Sequence, residues 1–165
     1  MKEKVLLKKS LYHGYVEMPK GFEIRRVLLG KDILISYLDD LKFPFSKTWD
    51  MLNTYITENA VLKQDLHIYN EKTWGNIYYP SKDSRILQES NCDYVLLYGV
   101  TTPEACCGDC SSITVEIHYD VDQPAWQVDL YDNQFIMFPG KSKYQIRHNG
   151  KELAMLLTTT YKDAF

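Results

Sequence analysis

The chain has 165 residues, with 19 basic and 22 acidic side chains and a formal net charge of −3. Hydrophobic residues make up 45% of it, which is enough to form a core. Because domains cluster at about 100–150 residues, we expect one domain over residues 1–165, with an N-terminal section (1–65) and a β-rich core (66–165). The small net charge argues against a nucleic-acid partner and against an anionic membrane surface.

The apolar runs of the sequence are short. Val5–Leu7 is shorter than the apolar segment of a signal peptide, which has about 7–15 residues. The longest run, Tyr94–Val100, is far shorter than the roughly 20 residues that span a bilayer. We therefore expect a protein without a membrane partner that stays in the cytoplasm of the cell producing it.

The N-terminal section predicts extended chain followed by two helices. Leu11–Glu17 and Phe22–Leu29 have the composition of strands, with a turn at 18–21 between them. Asp32 is expected to cap the first helix, which Pro44 terminates, and Ser46 to cap the second. Their apolar faces are formed at helical spacing by Leu34, Tyr37, Leu38 and Leu41 in the first helix, and by Trp49, Leu52, Tyr55 and Ile56 in the second.

From residue 66 onward the hydrophobic pattern changes to a period of two, which is typical of strands. The predicted strands cover 66–69, 74–79, 93–100, 113–119, 126–130, 134–138, 143–147 and 153–161. Asn149-Gly150 between two of them predicts a hairpin, because a type I′ turn favours that dipeptide. The predicted fold class is mainly β (α+β), a jelly roll or barrel with the two helices packed on one sheet.

Three stretches carry a family likeness: Trp74–Pro80, Asp93–Val100 and Asn133–Gly140. They resemble the Fe(II)/2-oxoglutarate dioxygenase superfamily, and in particular its small phage-encoded members of the prolyl-hydroxylase type. The likeness covers roughly residues 45–161. It implies a double-stranded β-helix, and it implies that Asn76 and Tyr78 point into the roll, where they line a pocket or satisfy buried backbone groups.

The same resemblance implies positions for an iron site. In active members, a His-x-Asp/Glu pair and a distant His hold Fe(II), and a basic residue pairs with 2-oxoglutarate. The corresponding positions here are 83–90, which contain no histidine, then Lys143 and Tyr144, and then Leu153 and Ala154. We therefore predict a non-catalytic protein with no cofactor, in which Tyr144 is a further candidate for lining the pocket.

A displaced metal site is the alternative that the residues leave open. His118 and Asp120 form a literal His-x-Asp, and His148 lies downstream. The alternation of the strand places His118 and Asp120 on one face with Glu116, while His148 shares the parity of the apolar residue Ile146. Ligands on opposite faces of a sheet do not meet at one metal ion, so this pattern weighs against the set.

The four cysteines suggest a second metal hypothesis. Cys107 and Cys110 have Cys-x-x-Cys spacing, Cys106 is adjacent, and Cys92 or His118 completes a set of zinc ligands. The other interpretation is that the cysteines are reduced thiols in a loop, with a turn at positions 108–109.

These observations predict a binding or structural role. We expect a protein partner or a homo- or hetero-oligomer, and the phage-encoded relatives suggest a phage virion or host-interaction component. One alternative is an active hydroxylase that uses Fe(II) and 2-oxoglutarate through displaced ligands. The other is a cupin-like protein that binds a small molecule or zinc.

Overall fold

Two antiparallel sheets face each other across an apolar interior, as the alternating strands predict. The computed structural model describes residues 11–38, 47–64, 66–80, 82–89, 91–105, 108–119 and 122–164. Its major sheet has the strand order β1 (Tyr12–Tyr15), β8 (Gln134–Pro139), β3 (Tyr94–Thr101), β10 (Ala154–Asp163) and β2 (Ile68–Tyr78). The minor sheet has the order β7 (Trp126–Leu130), β6 (Ile113–His118) and β9 (Lys143–His148). A short separate pair is formed by β4 (Glu104–Ala105) and β5 (Gly108–Ser111).

The major sheet is buried on both faces, which explains the continuous apolar run of β3. Val95 and Leu97 point into the space between the two sheets, where they join the apolar cluster of the roll. Leu96 and Tyr98 point to the opposite face and join a second cluster beneath the helices. The predicted mainly β jelly roll of the double-stranded β-helix type, with two helices on one sheet, is therefore confirmed.

Two helices cover the outer face of the major sheet: α1 (Glu23–Leu38) and α2 (Lys47–Ala60). Ile33 of α1 packs directly on Gly75 of β2, where a Cβ atom would lie only 2.8 Å from the isoleucine side chain. Buried Arg26 of α1 forms an ion pair with Asp132 at 3.3 Å. Over the described residues, neither helix has the length and apolar composition of a membrane span.

The prediction of an extended segment at Phe22–Leu29 is wrong, because Glu23–Leu29 form the N-terminal part of α1 and Phe22 directly precedes it. Phe22, Leu29 and Ile33 are buried at helical spacing, whereas Ile24 and Leu28 are exposed. Asp32 lies inside this helix and is therefore not its cap. Leu52 and Ile56 are buried in α2 as expected. The residues Leu41, Pro44 and Ser46 lie outside the described part of the chain.

Three further local predictions are corrected. The strands expected at 66–69 and 74–79 form one continuous strand, β2. Residues 108–109 begin strand β5 and do not form a turn. Asn149-Gly150 does not close a hairpin, because β9 belongs to the minor sheet and β10 to the major sheet. The dipeptide instead carries the chain between the sheets, where Asn149 N donates to Ser112 O at 2.8 Å.

Candidate functional site

One end of the roll, here called the mouth, is where β2, β3 and β9 begin and β8 and β10 end. A tight turn after Pro139 joins β8 to β9 at this end and so links the two sheets. Gly140 in this turn packs against the backbone carbonyl of Cys92, leaving no room for a Cβ atom. The segment 83–89 runs beside β9, and Leu87 and Tyr144 exchange two backbone hydrogen bonds of 2.7 and 2.9 Å. The two segments to which the resemblance assigns metal ligands therefore lie side by side.

A cleft of about 330 Å³ opens at the mouth, between strand β2 and the residue pairs 88–89 and 91–92. This mouth cleft is lined by Glu71, Lys72, Trp74, Gln88, Glu89, Asn91, Cys92 and Thr160. Its walls combine one indole ring with amide, hydroxyl, carboxylate and ammonium groups. Polar side chains dominate this lining, and the indole of Trp74 adds an aromatic surface, so the cleft can offer a ligand both hydrogen bonds and a stacking face.

Glu89 is one of two acidic side chains that line the cleft. Tyr144 Oη donates to its Oε1 at 3.2 Å, and the Cys92 thiol donates to its backbone oxygen at 3.0 Å. Burial raises the pKa of the Tyr144 phenol well above its usual value, and the nearby charge of Glu89 raises it further. Burial and Glu89 also raise the pKa of Tyr78. Both phenols are therefore neutral hydrogen-bond donors across the physiological pH range.

The predicted pocket residues lie on the inner side of the roll. Tyr78 packs against the apolar cluster between the sheets, and Tyr144 belongs to that cluster. Asn76 Nδ2 donates to Thr158 Oγ1 at 3.0 Å. The wall of the mouth cleft is built from neighbouring residues, so the pocket-lining role of Asn76 and Tyr78 stays a prediction.

His118 lies on the outer face of the minor sheet, within an ionic network. Its Nε2 atom is 3.0 Å from Glu116 Oε1, and Arg147 Nε donates to Glu116 Oε2 at 2.8 Å. The hydrogen bond from Arg147 lowers the pKa of Glu116. Asp83 contacts the same guanidinium at 3.1 Å. The charged side chains on the polar face of β6 thus pair with neighbouring charges on the same outer surface.

His148 lies on the opposite face, with both ring nitrogens occupied. It is the register partner of buried Ile113, so it lies on the inner face of the minor sheet. His118 is an odd number of positions from Ile113 in β6 and therefore lies on the other face, so the two histidines do not converge. Gly150 N donates to His148 Nδ1 at 3.0 Å, and His148 Nε2 is 2.8 Å from Glu152 O. Nδ1 must therefore accept and Nε2 must donate. Asp120, the third candidate ligand, lies outside the described residues.

Two of the four cysteines predicted as zinc ligands, Cys92 and Cys110, lie at opposite ends of strand β3. Cys92 precedes β3 at the mouth, whereas Cys110 lies in β5, which pairs with β4 just beyond the other end of β3. The eight residues of β3 separate these ends, which at about 3.3 Å per residue gives roughly 26 Å. Cys106 and Cys107 lie outside the described residues. Among the residues described, no three His, Cys, Asp or Glu side chains form a group that could hold a metal ion.

The sequence-based candidates did not include Glu89, Trp74, Lys72 or Thr160. The parity of β2 could have indicated two of them, because Lys72 and Trp74 alternate in step with Asn76 and Tyr78. No local signal marks Glu89, since its position depends on the pairing of Leu87 with Tyr144.

Searches for similar proteins find the fold in solved structures. No family model and no curated protein matches the chain. A prolyl-4-hydroxylase of Pseudomonas putida aligns with a TM-score of 0.68 and 9% identity over 93% of this chain and 88% of that one. A viral collagen prolyl hydroxylase from Paramecium Bursaria Chlorella virus-1 gives 0.66 and 10% identity over 94% and 97%. The non-heme alpha-ketoglutarate-dependent epimerase SnoN gives 0.67 and 11% identity over 93% and 78%. The chain thus resembles the 2-oxoglutarate/Fe(II) oxygenases in fold, as its sequence predicted.

Proposed function

We propose that this chain is a non-catalytic binding protein on the oxygenase fold, and that it takes up part of a partner protein at the mouth cleft. The observation that carries this proposal is the hydrogen bond between Tyr144 and Glu89. It lies where segment 83–89 meets β9, the place to which the resemblance assigns metal ligands. The phenol of Tyr144 and the carboxylate of Glu89 are suited to hydrogen bonding with a partner.

The described residues do not fit Fe(II) with 2-oxoglutarate. Such a centre needs two histidines and one carboxylate on one side of the metal ion. His148 is held by two backbone groups, and His118 lies on the other face of the sheet. The inner face of β6 presents Ile113, Val115 and Ile117. We therefore derive no reaction step through iron.

An active Fe(II)/2-oxoglutarate-dependent hydroxylase is the second candidate function. It is favoured by the likeness to prolyl hydroxylases over nearly the whole chain. It requires ligands in unusual positions, with Asp120 among the residues that would have to contribute.

A thermal-shift titration separates the two candidates. The full-length protein is heated with Mn²⁺ alone, with 2-oxoglutarate alone and with both, since Mn²⁺ replaces Fe²⁺ without reacting with oxygen. A ligand that binds only the folded state stabilises it by about 2.7 kcal/mol at 100 times its Kd, which is readily visible. We expect no shift that requires both components. A shift that appears only with the pair would contradict the proposal and support the hydroxylase.

The biological setting also stays a proposal. The resemblance to small phage-encoded proteins suggests a phage virion or host-interaction component. Quantitative mass spectrometry of purified particles tests the virion role, with a phage tail protein as the positive control. A stoichiometric amount in the particles would support it, and confinement to the infected-cell lysate would contradict it.

A further inference from the structure

Within the described part of the chain, strand β2 has one edge without a neighbouring strand. It is the last strand of the major sheet, it has 11 residues, and it pairs only with β10. Among the described residues, no other backbone group bonds to its outer edge. A long edge strand of this kind is a template for an extended peptide, which adds to the sheet through main-chain hydrogen bonds.

The same strand forms one wall of the mouth cleft. Lys72 and Trp74 are register partners of Thr160 and Thr158, so their side chains share the face that looks into the roll. Lys72, Trp74 and Thr160 line the cleft, and Glu89 lines it from the segment opposite. A peptide paired with the outer edge of β2 would therefore run alongside the cleft, and its inward side chain would enter it.

Glu89 determines which side chain the cleft favours. The other carboxylate of the lining, Glu71, is already paired with Lys162 at 3.3 Å. Glu89 takes part in none of the ion pairs of the described residues, and its side chain accepts from the neutral Tyr144 phenol. A carboxylate beside an indole ring attracts an ammonium or guanidinium group through charge and through the cation–π interaction.

We propose that the mouth cleft binds the lysine or arginine side chain of an extended partner segment that pairs with the outer edge of β2. This inference rests on the proposed binding function and names the chemistry of its partner. Lys72 on the rim favours an acidic residue two positions from that cation, because residues i and i+2 of a strand share a face.

The cation site is tested first with small molecules. The ¹⁵N-labelled full-length protein is titrated with n-butylammonium and with n-butanol, and the indole N–H signal of Trp74 is followed after assignment with Trp74→Phe. We expect butylammonium to shift this signal in the millimolar range, about tenfold more strongly than butanol. Glu89→Gln removes the difference, whereas Glu58→Gln, an exposed carboxylate on α2, retains it. Equal responses to the two compounds, or none to either, would overturn the inference.

The edge pairing is tested with peptides. A fluorescent heptapeptide of alternating Thr and Val with a central lysine is compared with its norleucine analogue, and N-methyl groups are placed on either alternate set of its amides. We expect about tenfold weaker binding for norleucine, and loss of binding for only one of the N-methyl sets, since alternate amides face the partner strand. Equal affinities for lysine and norleucine, or equal tolerance of both N-methyl sets, would overturn the inference. The melting temperature could instead rise only with Mn²⁺ and 2-oxoglutarate together, while the peptide with lysine still binds more tightly than its norleucine analogue. That result would overturn the non-catalytic function and leave the cation site standing.

Discussion

The space between the two sheets differs between its centre and its mouth. At the centre, Leu97, Val115 and Ile136 are fully buried and belong to the apolar cluster between the sheets. At the mouth, Glu89 and Tyr144 place a carboxylate and a phenol beside an open cleft. Apolar burial stabilises the fold in proportion to area, whereas polar groups near the interior add little net stability. The centre therefore contributes most to holding the two sheets together, whereas the polar groups of the mouth contribute less.

The largest expected effect is at the centre. Leu97→Ala removes a fully buried side chain between the sheets, and we expect it to lower the free energy of unfolding by about 2–5 kcal/mol. Urea denaturation followed by circular dichroism measures this loss. Leu62→Ala is the matched control, because that leucine is 64% exposed. Losses of similar size at both positions would break the contrast between buried and exposed leucines.

Alkaline pH tests tyrosines from both sides of the major sheet. Burial raises the pKa of Tyr94 and Tyr161 from 10.0 to about 12 in the folded state, and raises those of Tyr78 and Tyr144 as well. Their stabilising contribution is therefore fully present below pH 10 and is lost as the pH rises through the folded-state values. We expect the urea midpoint to fall steadily above about pH 10. A midpoint that stays constant to pH 12 would contradict the assignment.

A smaller effect is expected at the mouth itself. Tyr144→Phe removes the phenol that donates to Glu89 and leaves the ring in place. Because the cleft gives Glu89 access to water, we expect a loss of about 0.5–1.5 kcal/mol, measured by the same denaturation. Tyr15→Phe on the exposed side of β1 serves as the control. A loss as large as that of Leu97→Ala would mean that the mouth, too, holds the fold together.

The ionic network on the outer face of β6 is expected to contribute less to the free energy of unfolding. Glu116→Gln breaks the pairing with Arg147 and His118. Glu116 is nearly buried, but because the side chain of Arg147 is 44% exposed and solvent screens the pair, we expect a loss of at most about 1 kcal/mol. Since Arg147 lowers the pKa of Glu116 below 4.5 in the folded state, its contribution is present above that pH and is lost as the pH falls. The difference between wild type and variant should therefore be larger at pH 7 than near pH 3. A difference that grows on acidification would refute this account.

The smallest expected effect is that of metal removal. The distance between Cys92 and Cys110 along β3 argues against one zinc site shared by both. We expect protein purified without chelator to contain well below one zinc per chain by elemental analysis, and its melting temperature to be unchanged by EDTA. One equivalent of zinc, lost together with stability on chelation, would instead support a site at the remaining cysteines.

Much of the fold could be predicted from the sequence because the strands are periodic. In β6, Ile113, Val115 and Ile117 alternate with polar residues, and each is buried in the structure. Phe22–Leu29 misled because its composition suits a strand, while its burial follows the period of a helix. Asn149-Gly150 misled because a local turn signal does not indicate to which sheet the next strand belongs.

The candidate site was harder to predict from the sequence than the fold, because segments far apart in the chain come together to form it. The family resemblance implied that Tyr78 points into the roll, and its side chain packs against the apolar cluster between the sheets. Glu89 reaches Tyr144 only because the segment before it crosses beside β9, a contact between residues 55 positions apart. No spacing motif encodes such a pairing, so the carboxylate is recognisable only once the sheets are assembled.

The outer edge of β2 also has a consequence for handling the protein. An edge of this length exposes amide and carbonyl groups that a second copy of the chain can use as readily as a partner does. Glu71 and Lys72 lie within this strand, and charged side chains on an edge oppose the stacking of copies into fibrils. We therefore expect replacement of both charges to make this edge more prone to aggregation, so two residues that line the mouth cleft also protect the solubility of the protein.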